Sequence, residues 1–452
     1  MKYLIVIQGE GHYPYFKSLI DNINKNNNVL IFYIKEKKLI DQKNKVSYKE
    51  KNLENKFSKY LRYHGTKIYL DKYFNSESYL FKRWQKAFPK NYTPNFIIKF
   101  LLEITKLLDY KKSISIHRYI DNFYNSENIL RLIKLYKLFG LKFLSRKQFN
   151  TLNNDYKRSI IIKKLFLNNK IEHLILSPLN MAQNTEVNFL KEAKLLNIKI
   201  SSFILSWDNV YTKGLIHQIP DKIFCWNINQ KKYLIKYHLI NSSKIKIAGS
   251  LFFEKWYIEN KKIIKNINKN KILYLGSSSN ITKNEEEIII DLINYIIDYK
   301  KNYQLIIRSH PSKIINKKLI LSRVRNTNNF KFELNNGIIK NPKSIFNKYA
   351  DVSAIVGINT SAFIDFMFLK KPIFSILQKN LYFEQLKSKH LNILFTADVI
   401  IKINTIKELF STITDIDKFD YHTKHKEFIN EFIFPNPKLP PSSYILENLN
   451  VE

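Results

Sequence analysis

Apolar positions in this chain fall into short runs that are separated by stretches with helical spacing. Residues 3–7 are apolar, residues 15–26 carry apolar side chains at helical intervals, and residues 29–34 are apolar again. This order predicts strand, helix and strand, which is the start of a parallel α/β sheet. The alternation returns further on, with predicted strands at 171–176, 198–205, 222–225 and 245–248 and predicted helices at 186–196 and 229–238.

The second half of the chain repeats this pattern. Predicted strands lie at 272–275, 303–307, 352–356 and 372–376, and predicted helices lie at 285–299 and 361–369. Two successive halves of this kind predict an α/β fold with two doubly wound, Rossmann-like domains that face a cleft. We place the first domain at 1–250, the second at 251–425 and tail helices at 426–452. Ligands of such sheets bind outside the carboxyl ends of the strands, so residues that follow strands are the candidates for a site.

Residues from about 38 to 165 interrupt the first half. They are rich in Lys, Tyr, Asn and Leu, and they show little strand pattern. Pro89 and Pro94 mark a break near the middle of this segment. The composition predicts a mainly helical insertion in the N-terminal domain.

The net charge is unusually high, because 75 Lys and Arg residues stand against 38 Asp and Glu residues, a formal charge of +37. A nucleic-acid partner or the anionic inner leaflet of a membrane would each suit such a charge. However, the basic residues are spread along the chain and form no single stripe, and Lys, Asn and Ile are abundant throughout, as in proteins of AT-rich genomes. We therefore expect no nucleic-acid partner, and at most weak peripheral contact with an anionic membrane.

Cysteine usage and hydropathy favour a cytoplasmic protein. The one cysteine, Cys225, excludes an internal disulfide and a Cys-rich metal site. The apolar run at 3–7 is too short for a signal peptide. No stretch approaches the roughly 20 apolar residues of a spanning helix. We expect the protein in the cytoplasm, with any membrane contact at the inner face.

Two polar loops follow strands of the second domain. Arg308 and His310 come after the strand at 303–307, where a guanidinium and an imidazole could grip phosphate or carboxylate oxygens. Ser277 and Ser278 follow the strand at 272–275 and could form an anion-binding turn. Each loop also has an ordinary interpretation, as a surface loop that holds Arg and His or as a flexible helix cap.

The sequence Gly-Ile-Asn-Thr-Ser at 357–361 joins a predicted strand to a predicted helix. Backbone N–H groups at such a junction bind anions, so Asn359 is a donor-binding candidate, and the hydroxyls of Thr360 and Ser361 could add hydrogen bonds to a diphosphate. Asp365 lies one turn into the helix on the face of Ser361, where it could accept hydrogen bonds from ribose hydroxyls. The alternative is plain N-capping of the helix by Asn359 or Thr360.

Candidate residues of the first domain also follow strands. His12 comes shortly after the strand at 3–7, and it could be a general base or a solvated imidazole in a tight turn. Polar and aromatic residues after the strand at 198–205 would suit the wall of a donor or acceptor site, or an ordered loop that packs the two domains together. They are Trp207, Asp208, Asn209 and Lys213.

With these motifs, the chain resembles bacterial GT-B glycosyltransferases and the CDP-glycerol glycerophosphotransferase-like proteins of surface-polysaccharide synthesis. The resemblance rests on IIRSHP at 306–311 and on VGINTSAFIDFMFLKKPIF at 356–374. The sequence SWDNVYTKG at 206–214 strengthens it. It extends loosely over residues 1–35 and about 170–450 and leaves the inserted region out.

The resemblance implies roles for individual residues. Arg308 and His310 would bind donor phosphate, while Thr360 and Ser361 would cap the helix that carries the diphosphate. Asp365 would contact the ribose, although related proteins often have the longer Glu at this position.

The resemblance also implies a reaction. His12 corresponds to the acceptor base. GT-B enzymes need no bound metal, and the chain offers no HxxH or DxD pair at a suitable loop, so we expect neither a metal nor a cofactor. The expected function is transfer of a sugar from a nucleotide-activated donor to a cell-surface glycan or glycolipid.

Other functions remain open on this fold. Polyol-phosphate transfer and sugar-nucleotide epimerisation are the alternative reactions. A non-catalytic basic protein that binds nucleic acid or membrane is the alternative outside enzymes, and the interleaved Tyr, Phe and Lys residues of 38–165 would suit it.

Overall fold

The computed structural model describes most of the chain outside the predicted insertion. The described residues are 1–34, 38–42, 46–49, 160–177, 186–212, 216, 218–236, 238, 240–260, 270–277, 285–311, 314–333, 342–378 and 389–449. They form two compact units. The first contains the described residues up to Leu251 together with those from Leu439 onwards, and the second contains those within Phe252–Lys438.

The first unit is built on an eight-stranded sheet with the strand order β4-β3-β2-β1-β5-β6-β7-β8. Its strands are β1 (Lys2–Ile7), β2 (Asn28–Tyr33), β3 (Lys38–Asp41), β4 (Val46–Lys49), β5 (His173–Leu176), β6 (Lys199–Phe203), β7 (Lys222–Cys225) and β8 (Ile245–Ile247). From β2 to β8 in this order, neighbouring strands are parallel. The central strands are apolar throughout because parallel strands are covered on both faces. All residues of β1 except Lys2 are buried.

The predicted helical insertion begins with strands. β3 and β4 pair antiparallel with β2 and with each other at one edge of the sheet. Leu39 and Ile40, and then Val46 and Tyr48, supply residues that favour strands within a polar sequence. The remainder of the predicted insertion lies outside the described residues, apart from a helix that starts at Ile160.

Helices of the first unit cover the sheet. They are α1 (Lys17–Ile23), α2 (Ile160–Asn168), α3 (Glu186–Leu195), α4 (Asn209–Thr212), α5 (Ile228–Lys236), α6 (Leu251–Asn260) and the C-terminal helix at Pro441–Leu449. All residues of α6 after Leu251 belong to the second unit. Between β1 and α1 the chain forms a 3-10 helix at Glu10–Tyr15, so the helical spacing noted at 15–26 is partly turn.

The C-terminal segment is divided between the units. The helix at Tyr421–Phe428 belongs to the second unit, whereas the last helix, at Pro441–Leu449, belongs to the first. Ile445 and Leu449 join the core under β1, and the Asn22 side-chain amide donates to Ser442 Oγ at 2.8 Å. The residues expected to form a tail at 426–452 therefore split, and their last helix completes the first core.

The second unit contains a six-stranded parallel sheet with the order β11-β10-β9-β12-β13-β14. Its strands are β9 (Lys271–Leu275), β10 (Gln304–Arg308), β11 (Phe330–Glu333), β12 (Ala354–Gly357), β13 (Ile373–Ile376) and β14 (Ile401–Ile403). The helices are α7 (Glu285–Tyr299), α8 (Lys317–Leu321), α9 (Pro342–Tyr349), α10 (Ala362–Met367), α11 (Lys389–Thr396), α12 (Ile406–Thr414) and α13 (Tyr421–Phe428), and α14 (Pro441–Leu449) is the helix that joins the first unit. The prediction of two Rossmann-like α/β domains is confirmed.

Helix α7 shows why the second sheet forms where it does. Apolar residues recur along it at helical spacing, and Ile289, Leu292, Ile293 and Ile296 are all buried. They pack in one core with residues of β9, β10 and β12. This packing buries one face of the sheet, and the polar residues lie at the strand ends.

Across the described ranges, no helix combines the length and the hydropathy needed to cross a membrane. In the same ranges, His, Cys, Asp and Glu side chains form no group of three or more that could hold a metal ion. Two predicted site residues, Ser278 and Lys213, lie outside the described residues.

Candidate functional site

The carboxyl ends of β9, β10 and β12 lie side by side in the second unit. Arg308 at the end of β10 and Gly357 at the end of β12 are both register partners of Leu275, the last residue of β9. The chain runs from β9 outward to β10 and β11, and then returns to β12 on the other side of β9. The boundary between β9 and β12 is thus the point at which the strand order reverses, where ligands of doubly wound sheets bind.

Two glycines let these strand ends approach each other closely. A Cβ atom on Gly276 would lie 2.8 Å from the backbone nitrogen of His310 and 3.1 Å from the carbonyl oxygen of Arg308. A Cβ atom on Gly357 would lie 2.8 Å from the carbonyl oxygen of Leu275. The loops after β9, β10 and β12 are therefore in backbone contact, and a larger residue at either glycine would push them apart.

Ser277 links the loops after β9 and β12 by hydrogen bonds. Its N–H donates to Glu285 Oε1 at 2.6 Å, and Tyr274 OH donates to the same oxygen at 3.1 Å. The Ser277 hydroxyl accepts from the backbone N–H of Asn359 at 3.3 Å. The N–H groups of Ser277 and Asn359 thus bond within the protein, and the donor contacts expected of these two residues stay predictions. Sequence reasoning missed Glu285, although it is the first acidic residue after the serine loop to fall in a helical pattern.

Arg308 is the central cation of the edge. The residue is buried, with only 8% of its surface exposed. The guanidinium carbon lies 5.5 Å from the centre of the Phe366 ring, which is within the range of a cation–π interaction. His310, two residues on, is half-buried. Packing against Phe366 restricts Arg308 to a narrow set of positions at the strand end.

Asp365 lies next to this cation. Burial raises the pKa of its carboxyl to about 7, while the positive charge of Arg308 acts in the opposite direction. The sequence therefore placed Arg308 and Asp365 correctly in one neighbourhood. It did not foresee that Asp365 would be partly protonated near neutral pH.

The polar residues at the start of α10 differ in their exposure. Thr360 is buried, and its Oγ1 accepts from the backbone N–H of Ala362, the first residue of the helix, at 3.3 Å. Ser361 is exposed, and its side chain makes no capping hydrogen bond. Of the two predicted diphosphate contacts, Ser361 has the exposed hydroxyl and Thr360 has a structural role as well.

An acidic and aromatic pair also adjoins Arg308. Glu333 ends β11 as the register partner of Arg308, so both side chains project from the same face of the sheet. Glu333 accepts a hydrogen bond from Tyr349 OH. It also forms an ion pair with Lys348, with Lys348 Nζ 2.9 Å from Glu333 Oε2. The Tyr349 ring in turn packs on Phe366, with ring centres 5.6 Å apart. Sequence reasoning missed this pair because neither residue belongs to a strand-end motif.

In the first unit, His12 lies in the 3-10 helix after β1. The imidazole is half-buried, and its centre is 6.1 Å from that of the Tyr15 ring. The position at the carboxyl edge of the sheet agrees with the sequence analysis, whereas the role of His12 stays a prediction.

The loop after β6 is an ordered turn. Ser206 organises it, because its N–H donates to Asn209 Oδ1 at 2.7 Å and its hydroxyl donates to Asp208 Oδ1 at 2.7 Å. The Trp207 carbonyl accepts from the side-chain amide of Gln230 at 3.1 Å. Trp207 and Asn209 are buried, and Asp208 is half-buried. Among these three residues, Asp208 is therefore the most accessible part of the predicted wall.

Comparisons with known proteins bear on the fold. No protein-family model matches the chain, and no curated protein matches it in sequence, so nothing points to the CDP-glycerol branch. A protein assigned as UDP-N-acetylglucosamine 2-epimerase from Listeria monocytogenes matches with a TM-score of 0.52 and 7% identity over 99% of this chain and 95% of that one. The UDP-GlcNAc 2-epimerase of Neisseria meningitidis, bound to UDP-GlcNAc, matches with a TM-score of 0.50 and 10% identity over 99% of both chains. Identities this low show the fold, which is of the GT-B type with two Rossmann-like domains.

Proposed function

We propose that this chain is an enzyme that binds a nucleoside diphosphate sugar at the carboxyl edge of the second sheet and transfers the sugar to a glycan or glycolipid acceptor. The observation that carries this proposal is the position of Arg308. It is a buried cation, held over Phe366, one strand away from the point at which the strand order reverses. A fixed guanidinium at that point suits a diphosphate.

Different residues would bind the diphosphate and the ribose of the donor. The planar fork of Arg308 can bind two diphosphate oxygens at once, and His310 lies two residues along the same loop. Ser361 offers an exposed hydroxyl and Thr360 the start of α10. The Asp365 carboxyl would accept hydrogen bonds from the ribose. Because protein groups supply the positive charge, we expect donor binding without a divalent metal.

Transfer would proceed by displacement at the anomeric carbon. The acceptor hydroxyl loses its proton to a base and attacks that carbon, and the diphosphate leaves with the bonding electron pair. Arg308 stabilises the charge that develops on the departing diphosphate. His12 is the base that the sequence suggests, and Asp208 with its neighbours would contact the acceptor.

Epimerisation of the sugar nucleotide is the second candidate. The observation in its favour is that the matching solved structures at TM-scores of 0.50 and 0.52 are named as UDP-GlcNAc 2-epimerases, one of them bound to UDP-GlcNAc. Such an enzyme would use the same donor site and would need no acceptor. The products separate the two reactions, because transfer releases UDP whereas epimerisation keeps the sugar on the nucleotide.

Thermal unfolding in the presence of nucleotides tests the shared part of the proposal. UDP, CDP, GDP and UDP-GlcNAc are each added in EDTA and, separately, with magnesium or manganese. We expect at least one nucleotide to raise the melting temperature in EDTA. Stabilisation that requires metal would contradict the metal-free site, and the absence of any shift would contradict nucleotide binding itself.

Product analysis then assigns the reaction. The stabilising nucleotide sugar is incubated with the protein alone and with membrane glycolipid extracts, and the products are separated by anion-exchange chromatography. Acceptor-dependent release of the nucleoside diphosphate supports transfer, and conversion to the C2 epimer in the absence of acceptor supports epimerisation. Salt-sensitive binding to DNA without any nucleotide effect would favour a non-catalytic basic protein instead.

A further inference from the structure

Three helices of the first unit form one layer over its sheet. The steps from β5 to β6 and from β7 to β8 run in the same direction across the sheet, so right-handed crossovers place α3 and α5 on the same face. Helix α2 joins this layer, because its Phe166 packs on Phe189 of α3 with ring centres 6.4 Å apart. The step from β1 to β2 runs in the opposite direction, so α1 lies on the other face, where α14 shares its core. The C-terminal helix therefore does not cover the layer of α2, α3 and α5.

The outer side of this layer repeats one pattern. Each of α2 and α5 begins with Ile, has two lysines three and four positions later, and has another aliphatic residue after seven positions, which places all four on one helix face. These residues are Ile160, Lys163, Lys164 and Leu167 in α2, and Ile228, Lys231, Lys232 and Ile235 in α5. The four aliphatic residues are 37–68% exposed. Lys164 and Lys232 are exposed, and Lys163 and Lys231 are half-buried. At the end of α3, Lys194 and Leu195 are both exposed as well. We call these ten residues the lysine face.

Carboxylates are turned away from the lysine face. Helices α2 and α5 contain no Asp or Glu. Helix α3 contains Glu186 and Glu192, and neither has exposed surface. The Glu186 carboxyl is directed inward, where it accepts a hydrogen bond from the side-chain amide of Gln8. The lysines are spread along the sequence, but the fold collects them on a surface to which these three helices add no exposed negative charge.

The residue types of the lysine face separate two kinds of anionic partner. Proteins that bind nucleic acids combine positive charge with aromatic side chains and arginines that stack on bases. The three helices contain no Arg, and their aromatic residues, Phe166, Phe189 and Tyr233, are all buried. Exposed aliphatic side chains among lysines suit a lipid bilayer instead. The aliphatic groups enter the boundary between headgroups and acyl chains, and the lysines reach anionic headgroups.

We propose that the lysine face binds the surface of a bilayer that contains anionic lipids, with α2, α3 and α5 lying against the headgroups. The sequence suggested at most weak peripheral contact and gave no location for it. None of the ten residues belongs to the proposed donor site. The inference therefore goes beyond the proposed function and does not depend on it.

Sedimentation of the full-length protein with vesicles tests the proposal in the absence of nucleotide. One set of vesicles mixes phosphatidylglycerol with phosphatidylcholine, and the other contains phosphatidylcholine alone. The lysine-face variant combines Lys163→Gln, Lys164→Gln, Lys231→Gln and Lys232→Gln. The matched control removes the same charge from four exposed lysines of the second unit and combines Lys301→Gln, Lys318→Gln, Lys407→Gln and Lys424→Gln.

We expect wild type to prefer the anionic vesicles, and this preference to weaken at high salt. The lysine-face variant should lose on the order of 100-fold in affinity for anionic vesicles, somewhat less than four full lysine–membrane contacts would give. The control should stay within about threefold of wild type, because lysines away from the membrane are screened. Ile228→Gln combined with Ile235→Gln keeps the charge and should lower the affinity by about tenfold, since less apolar surface is buried.

A fluorescent probe reports which surface enters the headgroup region. The native Cys225 is buried, so a cysteine introduced at the surface can be labelled selectively with an environment-sensitive dye. The dye is placed on Ile228→Cys and, as the control, on Leu321→Cys, which replaces an aliphatic residue of similar exposure in the second unit. On anionic vesicles, we expect emission from position 228 to increase and to shift to shorter wavelength, and emission from position 321 to stay unchanged.

Several results would overturn the inference. Equal losses in the lysine-face and control variants would assign vesicle binding to net charge, and equal responses of the two dyes would assign it to no particular face. Equal binding to neutral and anionic vesicles, or none to either, would remove the anionic bilayer as the partner. Binding of a DNA or RNA duplex through the same four lysines, without vesicle binding, would assign the face to nucleic acid.

Folding of the variants is checked by circular dichroism. If the fourfold lysine-face variant does not fold, the pair in α2 and the pair in α5 are replaced separately, and wild-type vesicle affinity in both pairs contradicts the proposal. Each of these results leaves nucleotide binding untouched, so failure here is distinct from failure of the proposed function.

Discussion

The backbones of Gly276 and Arg308 are joined directly, because the Gly276 N–H donates to the Arg308 carbonyl at 2.8 Å. Replacing Gly276 with Ala would place a Cβ atom 2.8 Å from the nitrogen of His310. Both contacts are with backbone, which cannot swing aside, so the ends of β9 and β10 must separate. We expect Gly276→Ala to lower the free energy of unfolding by about 1–3 kcal/mol, the cost of overpacking. Urea unfolding measures this change.

Gly11 provides the control for that substitution. A Cβ atom there would meet nothing within 4 Å. We expect Gly11→Ala to change stability by less than about 0.5 kcal/mol, as exposed substitutions usually do. If the two variants unfold at the same urea concentration, the close approach of the strand ends is not a constraint on this fold.

Arg308 should matter for both binding and stability. Arg308→Lys keeps the charge and loses the planar fork, so we expect donor affinity to fall by about 1–3 kcal/mol, the scale of a charge-assisted hydrogen bond. Arg308→Ala should weaken donor binding further. Because Arg308 packs on Phe366, Arg308→Ala should also destabilise the unliganded protein by about 1–2 kcal/mol. Calorimetric titration and thermal unfolding measure the two effects.

A charge-matched control is available on the same unit. Arg325 is largely exposed and forms an ion pair with Asp298. Arg325→Ala removes the same charge from the surface, and we expect donor affinity close to that of wild type, because exposed pairs contribute little. Equal losses in the Arg308 and Arg325 variants would show that the effect comes from net charge and that Arg308 has no specific role.

Much of the fold could be predicted from the sequence, because the central strands of both sheets are largely apolar runs and the longer helices have clear helical spacing. Helix α7 and strand β7 have the predicted bounds, at Glu285–Tyr299 and Lys222–Cys225. The strands β3 and β4 were missed, because only two apolar residues in each stand against charged neighbours and their pairing with β2 is what stabilises them. Local pattern does not reveal such long-range pairing.

The candidate site was predictable in part for a related reason. Strand-end motifs identified Arg308, Asn359 and Asp365, since residues after parallel strands must share one edge. Burial of Arg308 over Phe366 was not foreseen, because it depends on how α10 packs on the sheet. Burial of Glu186 was not foreseen either, because its contact with Gln8 joins residues 178 positions apart.

The raised pKa of Asp365 predicts a pH dependence of ribose recognition. Its carboxyl titrates at about 7, so it is mainly protonated below that pH and mainly ionised above it. An ionised carboxylate accepts stronger hydrogen bonds from ribose hydroxyls. We expect the preference for UDP over pyrophosphate, which has no ribose, to increase several-fold between pH 6 and pH 8, which is less than a full charge-assisted hydrogen bond would give. Calorimetric titration of both ligands at each pH gives the ratio.

Asp365→Asn is the control for this effect. Asparagine cannot ionise, so the part of the increase that Asp365 causes should be absent from the variant. Titration of the ligand phosphates persists in the variant and is thereby separated from titration of the protein. A wild-type ratio that does not change with pH would show that Asp365 has no contact with the ribose.

Glu186 predicts a pH dependence of stability that needs no ligand. Its pKa is about 7 in the folded protein against an ordinary 4.5, so between these values the folded state holds a proton that the unfolded state releases. The contribution of Glu186 to stability should therefore fall as pH rises from 4.5 through 7, and the loss should stay constant at higher pH. The difference of 2.5 units between the two pKa values corresponds to about 3 kcal/mol at most. Glu186→Gln has no such titration, so it should match wild type near pH 4.5 and be clearly more stable at pH 8. Urea unfolding of both proteins across this range measures the difference. Parallel curves would show that the carboxyl ionises at its ordinary pKa and that its burial has no energetic cost.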